Sequence, residues 1–251
     1  MNSVYPVRAK KSSLEITSPR DYVSRIAKGM TLPSRAVICP LPLLTKYVLS
    51  QGKYIHQFAL TDVYVDEKND FCFVPLHSCG APALALQLEI LIACGAKQCI
   101  FLGTAGSLQE EVEPGDVVLC QEAVCADGTS PHYVTSELVR PSRSLLTRWE
   151  HTLRGEKINF HFGRHWTTDA VLRETKAEIK HYQKQQVLTV DMEAAAFLAV
   201  CCKRRIAGVA AFVVSDRLYN GVWEPDFGNK EIARRLKELF ILARKTLIQG
   251  T

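Results

Sequence analysis

The chain reads as a single α/β domain, a mixed central β-sheet wrapped by helices. Three observations point there. Apolar runs of strand length alternate with segments of helix length along most of the 251 residues. Several of those runs end abruptly on polar residues, at Gly103-Thr104-Ala105-Gly106, Asp191-Met192-Glu193 and Ser215-Asp216. Hydrophobic residues make up 47% of the chain, enough for a large core, and no internal repeat or linker divides it.

Residues 1–34 are expected to form an N-terminal arm, loosely ordered over 1–20, with a short helix over Tyr22–Lys28; residues 35–251 form the domain. The continuous apolar run Ala36–Cys39 predicts a buried strand. Pro40-Leu41-Pro42 breaks the chain, and Leu43–Gln51 can follow as a helix, with Pro42 tolerated at its start. Phe58–Val65 and Phe71–Leu76 read as a hairpin around Asp66–Asp70. Gly80-Ala81-Pro82 opens a buried helix that runs to Cys94 and stops at Gly95.

Gln98–Leu102 is the next strand, running into a glycine-containing loop over Gly103–Ser107. Val117–Gln121 follows the Pro114-Gly115-Asp116 turn. Leu138–Leu153 reads as a helix with Leu145, Leu146 and Trp149 on one face, Asn159–Phe162 as a strand, and Trp166–Asp169 as a loop. Thr175–Gln186 is a polar surface helix. Val187–Val190 is a short strand that hands over, through Asp191-Met192-Glu193, to an almost wholly apolar helix. Ala207–Val214 is a last buried strand. Asn229–Gln249 is amphipathic, with Ile232, Leu236, Leu239, Phe240, Ala243 and Leu247 on one face.

Composition removes several function classes. The start lacks the apolar segment of a signal peptide, and no apolar run approaches the ~20 residues of a membrane span. The nine cysteines are odd in number, contain no CxxC and sit mostly in apolar segments. They suit reduced thiols in a cytoplasmic protein better than disulfides or zinc. His161 and His165 have helical spacing but flank Gly163 in a strand-like stretch, so no metal site is expected. The net charge of +5 is spread along the chain without interleaved aromatic residues, which disfavours nucleic acid and leaves an anionic small molecule compatible.

In open α/β sheets, ligands bind outside the carboxyl ends of strands. The Gly103–Ser107 segment offers backbone N–H groups and the Thr104 hydroxyl, with neither the dinucleotide nor the Walker glycine spacing. A carboxyl at Asp216, after the apolar run Val209–Val214, would be partly desolvated and fit to give a proton. At the third strand end, Asp191 as a helix cap with Glu193 in the first turn competes with a binding site. Tyr133, Trp166 and Trp223 are either packing residues or a stacking platform for a base.

Together these pieces resemble the nucleoside phosphorylase family, which includes purine nucleoside, uridine and methylthioadenosine enzymes. The matching residues are Phe101–Leu108, Pro114–Val118, His77–Pro82, Asp191–Ala195 and Val214–Asp216, in the family's order from about residue 35 onward. The resemblance implies a partly closed, barrel-like central sheet and cleavage of a nucleoside N-glycosidic bond without a cofactor. It implies that Met192 and Glu193 hold the ribose and that Asp216 gives a proton or hydrogen bond to a purine-like base. Gly103, Thr104 and Ala105 would hold phosphate, and the loop Trp166–Ala170, with Trp166 and Thr168, would flank the base. A homo-oligomer, a dimer or trimer of dimers, is implied as well.

Two departures stand out. Where the family carries phosphate-binding arginines, this chain has Leu44 and Phe101. Each lost arginine forfeits charge-assisted bonds of roughly 1.5–3 kcal/mol. Lys46 or His56 could substitute, with Lys53 also close in sequence, or water could replace phosphate as in the family's nucleosidases. Phosphorolysis, hydrolysis and a non-catalytic nucleoside-binding module are thus the three readings.

Overall fold

The computed structural model describes residues 15–26, 30–39, 53–58, 61–66, 68, 70–76 and 78–249. In chain order the elements are α1 (Pro19–Ile26), β1 (Arg35–Cys39), β2 (Lys53–Phe58), β3 (Thr61–Asp66), β4 (Phe71–Pro75), α2 (Ala81–Ala93), β5 (Gln98–Ser107) and β6 (Val117–Cys125). They continue with β7 (Leu138–Val139), α3 (Arg143–Gly155), β8 (His161–Thr167), α4 (Lys176–Lys184), β9 (Val187–Asp191), α5 (Ala194–Arg204), β10 (Ala207–Arg217), β11 (Glu224–Pro225) and α6 (Lys230–Gln249). The helix expected over Leu43–Gln51 lies outside the described residues.

The strands form one mixed sheet in the order β11-β10-β6-β8-β9-β5-β1-β4-β3-β2. Because β10 also pairs in parallel with β5, strands β5, β9, β8, β6 and β10 close on themselves as a barrel, while β1, β4, β3 and β2 extend from it as an open wing. Side chains alternate across β5. Cys99 and Phe101 pack toward the layer of α2 and α5, and Ile100 and Leu102 toward the layer of α3 and α6. The apolar face predicted for the C-terminal helix is the buried face of α6.

The structure revises several local expectations. Phe58–Val65 is not one strand: β2 ends at Phe58 and β3 begins at Thr61, so a three-stranded meander stands where a hairpin was expected. The segment Gly103–Ser107 is not a loop but the second half of β5, in register with Phe212–Arg217 of β10. Helix α3 starts at Arg143 rather than Leu138, because the residue before Pro141 is driven out of the helical region. Leu138–Val139 instead adds a short strand to β6. Strand β8 covers His161–Thr167, two residues beyond the expected Asn159 start and through the expected Trp166 loop.

Val23 and Leu32 are buried against the domain, and the amide of Leu32 donates to the carbonyl of Cys94 at 2.8 Å. Among the described residues no helix is long and apolar enough to cross a membrane, and no group of three His, Cys, Asp or Glu side chains is placed to hold a metal ion.

Two packing details carry measurable consequences. Gly106 lies opposite Asp216, and a Cβ built there would stand 2.4 Å from Leu218 Cδ1 and 3.0 Å from Asp216 Oδ2. His165 is fully buried: Nδ1 pairs with the Thr189 hydroxyl at 2.7 Å, the ring lies 4.6 Å from that of Phe212, and Nε2 has no partner among the described residues. Burial pushes the imidazole down from 6.5 to about 3.

Gly106→Ala should cost about 1–3 kcal/mol by overpacking, read as a lowered melting temperature. The folded His165 value lies below the unfolded one, so its contribution is complete above pH 6.5 and is lost as pH falls toward 3. Urea-unfolding free energies should therefore fall more steeply between pH 6.5 and 4.5 in the wild type than in His165→Asn, by about 1 kcal/mol per pH unit.

Candidate active site

A cleft of about 550 Å³ opens where β5 changes partners. On one edge β5 pairs with β1 only as far as Phe101, and β9 takes over at Gly106. Between those points Leu102–Ala105 have a registered strand partner only on the β10 side. The gap is lined by Thr104, Ala105 and Gly106 from β5, by Val190–Glu193 at the end of β9, and by Ser215 and Asp216 from β10. All three polar strand ends singled out in the sequence therefore meet in one place, although only Thr104, Ala105 and Gly106 of the glycine segment face it.

Asp191 anchors the handover from β9 to α5. Its Oδ2 accepts from the amides of Ala194 at 2.7 Å and Glu193 at 3.3 Å, and its Oδ1 accepts from the Thr167 hydroxyl at 2.6 Å. It thus caps the first turn, whose free N–H groups and dipole favour an anion there. Thr167 Oγ1 in turn accepts from the amide of Ala195 at 2.9 Å. Relieved of capping, Glu193 turns across to the opposite loop, where its Oε1 accepts from the amide of Gly80 at 2.5 Å. Gly80 presents that amide at φ 103, a conformation that favours glycine. Burial pushes both carboxyls upward, and for Asp191 the neighbouring charge of Glu193 adds to it, against the pull of these donors. Met192 lies between them on the cleft wall.

Asp216 is held from two sides. A bulge between Val214 and Asp216 breaks the register with β5 and brings Asp216 opposite Gly106, whose missing side chain makes room for the carboxyl. Its Oδ1 accepts from the Ser215 hydroxyl at 2.7 Å and its Oδ2 from the indole N–H of Trp223 at 3.0 Å. The rim is apolar and open: Leu172 is 90% exposed, and Val171, Trp223 and Phe227 stand around the same mouth.

Trp166 is not part of this cleft. It is buried in a separate cluster, stacked on Tyr182 of α4 at 4.3 Å, because alternation along β8 sends Thr167 toward Asp191 and Trp166 to the other face. Thr168 is also buried and engaged locally, its amide donating to the carbonyl of Asp191 at 2.9 Å and its hydroxyl accepting from the amide of Ala170 at 3.2 Å. The segment that does flank the cleft lies a few residues further on, at Val171, Leu172 and Glu174. Gly103 does not line the cleft; a Cβ added there would meet the Phe212 ring at 3.0 Å. Tyr133 packs against the core.

Glu174, Val171, Leu172, Leu218 and Phe227 are cleft residues that sequence reasoning passed over. Glu174 precedes the capping box of α4, in which Thr175 and Glu178 bond reciprocally, and so reads as part of a polar helix start. Its structural position is different. Oε1 is buried without a hydrogen-bond partner among the described residues, and burial, followed by the nearby charges of Asp216 and Glu178, pushes the carboxyl up to about 7. The cleft wall thus carries the carboxyls of Glu174, Asp191, Glu193 and Asp216, and no Lys, Arg or His stands among the described lining residues. Phe101 is fully buried beside Phe197 and Phe212, at 5.6 and 5.7 Å between ring centroids. Lys53 and His56 lie on β2, and Leu44 and Lys46 fall outside the described residues.

Comparison with known proteins places this architecture. Guanosine phosphorylase of Halorubrum lacusprofundi is 26% identical over 160 residues, covering 63% of this chain and 66% of that protein, just under two thirds of its length. Uridine phosphorylase of Salmonella typhimurium is 24% identical over 184 residues, covering 67% of this chain and 73% of that protein. Among solved structures, uridine phosphorylase from Vibrio fischeri superposes with a TM-score of 0.75 at 22% identity, covering 86% of this chain and 91% of that one. AMP nucleosidase from Bacteroides thetaiotaomicron also gives 0.75, at 19% identity, over 91% and 94% of the two chains. The phosphorylase superfamily model matches residues 34–244, which spans the whole barrel, its open wing and all three polar strand ends; the chain belongs to that superfamily.

Proposed function

We propose that the chain cleaves the N-glycosidic bond of a purine-like nucleoside and transfers the ribosyl group to phosphate. The observation that carries this reading is the meeting of Met192, Glu193 and Asp216 across one cleft, with Thr104 on its floor. Glycosidic cleavage builds positive charge on the sugar. A buried carboxylate beside the ribose favours that charge more strongly than it would in water, and it accepts hydrogen bonds from the sugar hydroxyls. Glu193, braced by the Gly80 amide, is the residue for that role, and Met192 offers an apolar surface to the ring. Asp216, with Trp223 beside it, faces the base. Thr104 and the β5 backbone between the two partner strands receive the acceptor.

A second reading, hydrolysis, is favoured by the lining itself. A wall of carboxyls without a cation among its described residues suits water better than a phosphate dianion. Phe101, locked in an aromatic cluster, offers nothing to an anion at a position where the resemblance expects arginine.

Base release from inosine, adenosine, guanosine and methylthioadenosine, assayed with and without phosphate, separates the readings. An absolute phosphate requirement supports transfer, full rate without phosphate supports hydrolysis, and no release from any of them removes both. Glu193→Gln should lower kcat/KM on an active nucleoside by about 10- to 150-fold, the equivalent of one lost charge-assisted contact of roughly 1.5–3 kcal/mol.

A further inference from the structure

The cleft holds two carboxyls on the side where the base would lie, and their surroundings differ. Both oxygens of Asp216 are occupied as acceptors, one by the Ser215 hydroxyl and one by the indole N–H of Trp223. An indole N–H only donates, so the oxygen facing it serves as an acceptor. Glu174 is the opposite case. It sits on the same wall, at the end of the short turn Val171–Arg173, with Oε1 buried and no hydrogen bond to it from the described residues.

We propose that Glu174 is the general acid of this site: its carboxyl gives the proton to a ring nitrogen of the departing base, while Asp216 remains the acceptor that orients it. The inference rests on the nucleoside-cleaving function proposed above and assigns within it a catalytic residue other than the aspartate the family resemblance suggests. Paired carboxyls whose environments drive them apart are a recurrent way to divide acid from acceptor. Among the described residues, the charged groups that bear on Glu174 are acidic, and the Cys79 thiol lines the same cleft. Asp216 comes from β10 and Glu178 from α4, and Asp191 and Glu193 line the same cleft from β9 and the start of α5. Burial and that company hold the proton on Glu174 to about pH 7.

The step balances. As the C1′–N bond breaks, its electron pair leaves with the base, and the proton moves from Glu174 to a base nitrogen. The acceptor oxygen forms the new C1′–O bond and releases one proton, whether it comes from water or from hydrogen phosphate, and that proton restores Glu174.

The test compares two substrates across pH 5–9 on the full chain. One is the purine riboside that the wild type cleaves best. The other is 4-nitrophenyl riboside, whose leaving group departs without a proton. In the wild type, kcat for the nucleoside should fall as pH rises through about 7, while kcat for the aryl riboside should not. Glu174→Gln should slow the nucleoside by ~10²–10⁴-fold, remove that limb, and slow the aryl riboside far less. A wild-type nucleoside profile that matches the aryl riboside profile would overturn the inference without any variant being made. So would equal losses on both substrates in Glu174→Gln, or a limb that survives in Glu174→Gln and disappears in Asp216→Asn. A wild type that cleaves neither substrate sinks the proposed function instead.

Discussion

Everything at the candidate active site depends on one feature of the sheet: β5 keeps β10 along one edge and exchanges partners along the other. Where β1 has left and β9 has not yet arrived, the backbone of Leu102–Ala105 borders a gap instead of a strand. A parallel sheet without that exchange would be continuous and closed, with nowhere for a ligand to reach the strand ends. The same exchange closes the barrel, because β9 brings β8 and β6 round to β10. Cleft and barrel have a single geometric cause.

The acidic knot between β9 and α5 then divides its labour. A helix that begins in a buried place needs an acceptor for its first amides, and Asp191 supplies it with help from Thr167. With the cap satisfied, Glu193 is left to reach the Gly80 amide on the opposite loop and hold its carboxyl at the cleft wall. Among the described residues, the carboxyls of Asp191, Glu193 and Asp216 are each supported by N–H or O–H donors rather than by cations. Such an arrangement accommodates a sugar that becomes positive as its bond breaks.

The helical layers and the large apolar strands were legible in the sequence because α6 repeats its apolar residues every three to four positions, whereas β5, buried on both faces, reads as a continuous apolar run. Glu193, Met192 and Asp216 were legible because each follows an apolar run in the order of a recognisable family. Trp166 was misread for the same reason that makes strands readable. Alternation assigns a face to every second residue, but not which face looks at the cleft, and β8 runs further than its composition indicated. Gly103–Ser107 was misread because glycines suggest a turn, whereas here Gly106 is small so that Asp216 and Leu218 can approach it within a strand.

By itself, then, the sequence determined the fold class, the family and the three polar strand ends, since these depend on local periodicity and on short contiguous motifs. Only the tertiary structure showed what holds each of the two neighbouring acids, because the amide from which Glu193 accepts, that of Gly80, lies 113 residues away in the chain. It alone brought Glu174 beside Asp216. No spacing along the chain relates those two carboxyls, and the proton Glu174 holds depends on burial and on the charge across the cleft, which exist only once the barrel has closed.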